Sequence, residues 1–104
     1  MSIEHLTEQN FSDNTKNGLV LVDFFATWCG PCRMQAPILE RVVVDLDDSA
    51  KIYKVDVDEC EGVAKQYGIM SIPTLVLLKD GKEVARNVGL MSQDAVLELI
   101  QSHK

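Results

Sequence analysis

Two cysteines separated by two residues, Cys29 and Cys32, are the side chains of this sequence best suited to chemistry. They follow an apolar run at residues 19–25 that is typical of a buried strand, and they precede a helical pattern that begins near Pro31. The first turn of a helix has free N–H groups and a partial positive charge, and both favour a thiolate over a thiol. The spacing therefore predicts a reversible dithiol/disulfide pair where a strand turns into a helix.

The expected reaction begins at Cys29, which we predict to be exposed and to have a lowered pKa. As a thiolate it would attack a substrate disulfide and form a mixed disulfide. Cys32 lies one turn further along and should be more buried; it would attack the Cys29 sulfur and release the reduced substrate. Gly30 lets the turn close because it has no side chain, and Pro31 suits the first turn of a helix.

The cysteine pair has two other interpretations. A zinc site needs four ligands, and the sequence offers only Cys60, His5 and His103 besides the pair, so it disfavours zinc. A structural disulfide across so short a ring would constrain little of the unfolded chain and is rare in cytosolic proteins. Cys60 itself is expected to be a small surface or half-buried residue.

Two further residues could assist the cysteines. Asp23 is the only carboxylate in the apolar run, six residues before Cys29. By residue type alone, a structural role with hydrogen bonds to backbone or water is favoured. The functional alternative is a buried carboxyl with a raised pKa that accepts the proton of Cys32. Lys54, in the next strand, is its candidate charge partner, although the sequence alone favours an ordinary solvated lysine.

Composition limits the classes of partner. A chain of 104 residues suggests one domain, spanning residues 1–104, and its net charge of −6 argues against nucleic acid and anionic membranes as partners. The N-terminal segment that begins at Met1 carries acidic residues early, and no apolar run is long enough for a secretory signal or a bilayer span. We therefore expect a cytoplasmic protein. Three cysteines are too few for a disulfide framework.

The elements that would position these residues follow from periodicity and turn signals. The predicted order is βαβαβαββα, an α/β domain with a central mixed sheet flanked by helices on both faces. The predicted strands are 3–6, 19–25, 52–57, 74–79 and 83–88, and the predicted helices are 7–17, 31–46, 59–67 and a last helix capped by Ser92. Asp80-Gly81 predicts a tight hairpin between the last two strands.

Helix 31–46 carries a predicted core-facing stripe. Pro37 lies inside that helix and should kink it. Pro73, at the start of a strand, indicates by itself only a strand boundary. The stripe consists of Met34, Ile38, Leu39, Val42, Val43 and Leu46.

The run Trp28-Cys29-Gly30-Pro31-Cys32, with Asp23 before it and Pro37 and Ser71-Ile72-Pro73-Thr74 after it, resembles the thioredoxin family. The resemblance covers essentially the whole chain. It implies the thioredoxin fold, with Pro73 cis beside the cysteine pair.

The resemblance also assigns roles to residues around the pair. Trp28, Ile72, Pro73 and Gly89 would form an apolar docking surface around Cys29. Asp23 would be the buried acid/base and Lys54 its neighbour, which reverses the preference from residue type alone.

The resemblance further implies a general protein disulfide reductase. Such a protein binds no cofactor itself and receives electrons from an NADPH-dependent thioredoxin reductase. Its expected substrates are oxidised proteins such as ribonucleotide reductase, peroxiredoxin and methionine sulfoxide reductase, and we expect a monomer. One alternative is a protein-binding module in which redox chemistry is incidental. Another is an oxidase or isomerase of the same fold, which is disfavoured because Pro31 offers no N–H to hold the thiolate.

Overall fold

A four-stranded mixed sheet with helices on both faces forms the part of the chain that the structure describes, residues 3–104 of a computed structural model. The strands lie in the order β2-β1-β3-β4; β1 and β2 are parallel, and the other two pairs are antiparallel. The predicted fold class is therefore confirmed, while Met1 and Ser2 of the predicted N-terminal segment lie outside the described residues. In chain order the elements are α1 (Phe11–Thr15), β1 (Leu19–Phe25), α2 (Gly30–Asp45), β2 (Ala50–Asp56), α3 (Glu61–Gln66), β3 (Thr74–Lys79), β4 (Lys82–Val88) and α4 (Gln93–Gln101).

Strand β1 is buried along its whole length. Leu21 packs in one apolar cluster with Leu39 and Val42 of α2, whereas Phe24 packs in a second cluster with Phe11 of α1 and Val63 of α3. Because both faces of β1 are covered, its sequence is almost continuously apolar rather than alternating. The strand thus runs through the centre of the molecule and ends just before the cysteine pair.

The predicted first strand, 3–6, is wrong as a full strand. Its only pairing among the described residues is an isolated parallel bridge between His5 and Lys54. The Lys54 N–H donates to the Glu4 carbonyl at 3.0 Å, and the Leu6 N–H donates to the Lys54 carbonyl at 2.8 Å. The segment therefore extends the sheet beside β2 over a few residues only.

Helix α1 is shorter than the predicted 7–17 because a turn precedes it. The Thr7 N–H donates to Asn10 Oδ1 at 2.8 Å, and the Asn10 N–H donates to Thr7 Oγ1 at 3.1 Å. These reciprocal bonds have the pattern of a capping box, and the Phe11 N–H donates to the Thr7 carbonyl at 3.0 Å. The helix begins at Phe11, which is buried.

Helix α2 has nearly the predicted bounds and continues through Pro37, but its buried face differs from the predicted one. Met34 is 59 % exposed, whereas Gln35 is fully buried at 0 %. The buried positions, Cys32, Gln35, Leu39 and Val42, follow the three-and-four spacing of one helix face. The predicted burial of Met34 is therefore wrong, because the face that contains Gln35 and Leu39 is turned toward the core instead.

The hairpin and the last cap are confirmed. Asp80 and Gly81 both have positive φ, +51° and +83°, and join β3 directly to β4. The Ser92 side chain accepts a hydrogen bond from the Ala95 N–H at 3.2 Å and caps α4. No helix within residues 3–104 is long and apolar enough to cross a bilayer.

Candidate redox site

Cys29 is the N-cap of helix α2, so the predicted position at a strand-to-helix corner is confirmed. Its Sγ accepts a hydrogen bond from the Cys32 N–H at 3.2 Å. The two cysteines are joined as a disulfide, with their Cα atoms 5.2 Å apart. A sulfur that faces a free N–H at the start of a helix lies where negative charge is stabilised. The same geometry therefore supports a thiolate at Cys29 once the disulfide is reduced.

The exposure predicted for Cys29 is wrong for this disulfide form. Cys29 is only 5 % exposed and Cys32 is 3 % exposed. The two side chains pack with Phe25, Ala26 and Ile72, and these neighbours cover the disulfide. Cys29 is thus the more accessible residue by a small margin only, and a substrate must dock closely to reach its sulfur.

The peptide bond between Ile72 and Pro73 is cis, as the resemblance implied. The Ile72 carbonyl oxygen lies 3.8 Å from Cys29 Sγ, and the Pro73 carbonyl accepts a hydrogen bond from the Gly89 N–H at 2.8 Å. The start of β3 and the end of β4 are therefore held together beside the disulfide. The structure thus brings Cys29, Ile72, Pro73 and Gly89 into one neighbourhood.

Trp28 stands at the edge of the same turn and is 65 % exposed. Its indole Nε1–H donates to Asp58 Oδ2 at 2.8 Å, and the Asp58 N–H in turn donates to Asp56 Oδ1 at 2.9 Å. Asp58 therefore orients the ring of Trp28 from the loop after β2. No sequence signal pointed to this contact, because Asp58 lies in an acidic stretch that is typical of solvated surface.

Asp23 is completely buried, and neither of its carboxylate oxygens has a hydrogen-bond partner within residues 3–104. Burial raises its pKa from 3.8 to about 7, while the positive charge of Lys54 acts in the opposite direction. On β1, Asp23 lies between Leu21, which packs against α2, and Phe25, which packs with the cysteines. The carboxyl therefore lies on the sheet face that α2 covers, near the end of β1 that leads into the redox turn (residues 29–32).

Lys54 is the register partner of Asp23 across β1 and β2, so the two side chains leave the same face of the sheet. The Lys54 ammonium lies 4.4 Å from the centroid of the Phe25 ring, in a cation–π contact. Lys54 is half-buried rather than an ordinary solvated lysine. The predicted pairing of the two residues thus has a structural basis, and the role of each in catalysis stays a prediction.

Two other residues behave differently from what the sequence suggested. Cys60 is buried at the start of α3, with its Sγ 3.5 Å from the Leu6 carbonyl oxygen, so its expected surface or half-buried position was wrong. Gln35, for which no role was predicted, hydrogen-bonds the backbone of Met91. A polar residue on the buried face of α2 was the signal that could have identified it. Within residues 3–104, no three His, Cys, Asp or Glu side chains are grouped to hold a metal ion.

Comparison with known proteins gives one consistent result. The family model described as Thioredoxin matches residues 2–102. The chain is 50 % identical to Thioredoxin of Bacillus subtilis (strain 168), over 99 % of each chain. It is 48 % identical to Thioredoxin of Chlamydia trachomatis serovar D, over 98 % of this chain and 99 % of that one.

A solved structure agrees with the sequence relatives. A single-site mutant of thioredoxin from Halobacterium salinarum NRC-1 superimposes with a TM-score of 0.83 at 39 % identity, over 97 % of this chain and 88 % of that one. Cys29 and Cys32, at disulfide distance at the start of α2, are the redox-active pair that supports protein disulfide reductase activity. By the family match and by these relatives, the chain belongs to the thioredoxin family.

Proposed function

We propose that the protein is a general reductase that carries electrons from a thioredoxin reductase to oxidised proteins. The observation that carries the proposal is the Cys29–Cys32 disulfide at the N-terminus of α2, with the cis peptide bond before Pro73 beside it. A helix N-terminus favours the thiolate that disulfide exchange needs. The neighbouring backbone of Ile72 offers a place for an extended substrate segment.

The reaction proceeds in two exchange steps. The Cys29 thiolate attacks one sulfur of a substrate disulfide, and the other substrate sulfur leaves with the electron pair of the broken bond and takes up a proton. Cys32 then loses its proton, and its sulfur attacks Cys29. This step forms the Cys29–Cys32 disulfide and releases the second substrate thiolate, so two electrons pass to the substrate and the pair is oxidised.

Asp23 is proposed as the base that takes the Cys32 proton. A pKa of about 7 lets the carboxyl accept a proton and return it near neutral pH. Its complete burial keeps the carboxyl protonated until the pH approaches that value, and no donor among residues 3–104 bonds either oxygen. Lys54 is proposed to tune this group, because its positive charge favours the ionised carboxylate that must act as the base.

The proposed docking surface consists of Trp28, Ile72, Pro73 and Gly89. Trp28 is largely exposed, and Pro73 and Gly89 are joined by a backbone hydrogen bond beside the disulfide. Because the disulfide itself is covered, protein substrates would be recognised by this surface before exchange begins. Gly30 and Pro31 complete the turn that carries the cysteines.

The partners that we propose follow from the family. The electron donor is a thioredoxin reductase that uses NADPH, and the chain itself binds no cofactor. Ribonucleotide reductase, peroxiredoxin and methionine sulfoxide reductase are the proposed classes of substrate. We propose a cytoplasmic monomer without nucleic-acid or membrane partners, in keeping with the net charge of −6.

The direct test is reduction of insulin disulfides with NADPH and a thioredoxin reductase. The protein should support turnover, and Cys29→Ser should abolish it. Cys60→Ala is the matched control, because it removes a cysteine outside the redox turn and should keep the activity. An inactive wild-type protein, or full activity in Cys29→Ser, would refute the proposal.

A binding module would behave differently in a trapping experiment. In the proposed reductase, Cys32→Ser should accumulate mixed disulfides with protein substrates, because the second exchange step is blocked. The double variant Cys29→Ser, Cys32→Ser should then retain few of the same proteins. Equal retention by both variants would favour the module, in which the docking surface acts without redox chemistry.

A further inference from the structure

Gln35 is a fully buried polar side chain in the second turn of α2, three residues after Cys32. Its Nε2–H donates to the Met91 carbonyl at 3.0 Å, and its Oε1 accepts from the Met91 N–H at 2.9 Å. The amide thus pairs with both backbone groups of one residue, 56 positions away in the sequence. Such a reciprocal pair holds one backbone position much as a neighbouring strand would.

Met91 ends segment 89–91, which together with the N-cap residue Ser92 connects β4 to α4. Gly89 begins this segment and donates its N–H to the carbonyl of Pro73 beside the disulfide. Leu90, in the middle, is exposed. The segment is therefore bonded to Pro73, which follows the cis peptide bond, at one end and to α2, the redox helix that carries Cys32 and Gln35, at the other.

The other side-chain bonds that join α2 to the start of α4 lie further from the cysteines. Arg41 Nε donates to Gln93 Oε1 at 3.2 Å, and Gln93 Nε2 donates to Asp45 Oδ2 at 3.2 Å. Both are exposed, whereas the Gln35 pair is partly buried and its amide is fully buried, so its bonds constrain the segment more strongly. Gln35 is thus placed to set the position of segment 89–91 relative to Cys29.

We propose that Gln35 is a positioning residue that sets the affinity for protein substrates by holding segment 89–91 against the redox helix. The inference rests on the proposed function, because it assigns substrate docking to the surface that includes Gly89. Gln35 acts through the backbone of Met91, not through contact with the exchanging sulfurs. Its loss should therefore weaken docking and leave the sulfur chemistry unchanged.

The test replaces Gln35 by methionine, which has a similar length and no hydrogen-bonding amide. The N–H and carbonyl of Met91 then lose their buried partners, and the segment should shift or open toward water. In the insulin assay with NADPH and a thioredoxin reductase, the KM for insulin should rise about 3- to 10-fold, and kcat should change less than about twofold. Reduced Gln35→Met should still react with a small aromatic disulfide at the wild-type rate, because a small disulfide needs no docking surface.

Hydrogen exchange of the Met91 amide tests the position of segment 89–91 independently of enzymatic activity. The Met91 amide should exchange with solvent at least about tenfold faster in Gln35→Met, since its buried acceptor is gone. Gln35→Leu serves as a second apolar variant should the first not fold. Unchanged exchange at Met91 in the folded variant would overturn the inference.

Thr15→Val is the matched control for a general loss of stability. Thr15 is also buried, and its Oγ1–H donates to the Phe11 carbonyl at 2.9 Å. It lies in α1 next to Lys16, which borders Gly81 at the opposite end of β4 from Gly89. The KM for insulin should stay at the wild-type value in this variant.

The outcomes separate the inference from the proposed function. A wild-type protein that fails to reduce insulin would overturn both. An active wild type combined with an unchanged KM in Gln35→Met would overturn the inference alone. It would also be overturned if Thr15→Val raised the KM equally, or if Gln35→Met slowed the reaction with the small disulfide.

Discussion

Removal of the Asp23 carboxylate should stabilise the oxidised protein at high pH. The folded protein keeps a proton on Asp23 up to about pH 7, whereas an unfolded chain loses it near the ordinary value of 3.8. Between these two values the folded state binds more protons, so the free energy of unfolding falls as the pH rises. Above about pH 7 the free energy of unfolding falls no further on account of Asp23, because the carboxylate is then ionised in both states.

The size of the effect follows from the same two values. The interval between 3.8 and about 7, at about 1.4 kcal/mol for each pH unit, corresponds to about 4 kcal/mol. This is a large share of the stability of an ordinary domain, which is about 5–15 kcal/mol. Burial of this carboxyl, which no donor in the described part of the chain bonds, thus opposes folding at the pH at which the group can act as a base.

The measurement is urea unfolding of the oxidised protein and of Asp23→Asn from pH 4 to pH 9, with Asp23→Ala as a second variant. The free energy of unfolding of each variant minus that of the wild type should be about 4 kcal/mol larger at pH 9 than at pH 4. Asp48→Asn is the control, because Asp48 is an exposed carboxylate between α2 and β2. Parallel stability curves for the wild type and Asp23→Asn would refute the reasoning, since they would mean that Asp23 ionises equally easily in both states.

Three further changes test other contacts. Lys54→Met should raise the pKa of Asp23 further, because it removes the positive charge that lowers this pKa. The measurement is an NMR titration of the Asp23 carboxyl carbon, and a lower pKa in the variant would contradict the expectation. Asp58→Ala removes the hydrogen-bond acceptor of the Trp28 indole. It should raise the KM for insulin about 2- to 5-fold and lower the free energy of unfolding by about 1 kcal/mol or less. An unchanged KM would show that this hydrogen bond does not affect docking. Leu39→Ala, at a fully buried position of α2, should cost about 2–5 kcal/mol in urea unfolding, and a smaller loss would mean that the core refills the cavity.

The sequence alone determined those features that depend on neighbouring residues. The Cys29–Cys32 spacing, the continuous apolar strand before it, the Asp80-Gly81 hairpin and the Ser92 cap each follow from a few adjacent side chains. The same holds for the N-cap position of Cys29, because helix starts are set by local backbone and hydrogen-bonding preferences. The failures at this level were local as well: the turn made by Thr7 and Asn10 shortened α1.

Local sequence patterns do not determine which residues surround the cysteines. The family resemblance implied Ile72, Pro73 and Gly89 there, and the tertiary structure added the contacts of Asp58 and Gln35. Trp28 is 30 residues from its acceptor Asp58 in the sequence. Cys29 is 43 residues from Ile72, whose carbonyl lies beside its sulfur. Gln35 is 56 residues from its partner Met91. No local pattern encodes such contacts, since they arise when separate elements pack on the same sheet. The pKa of Asp23 belongs to this group too, because the burial that raises it is produced by the whole fold.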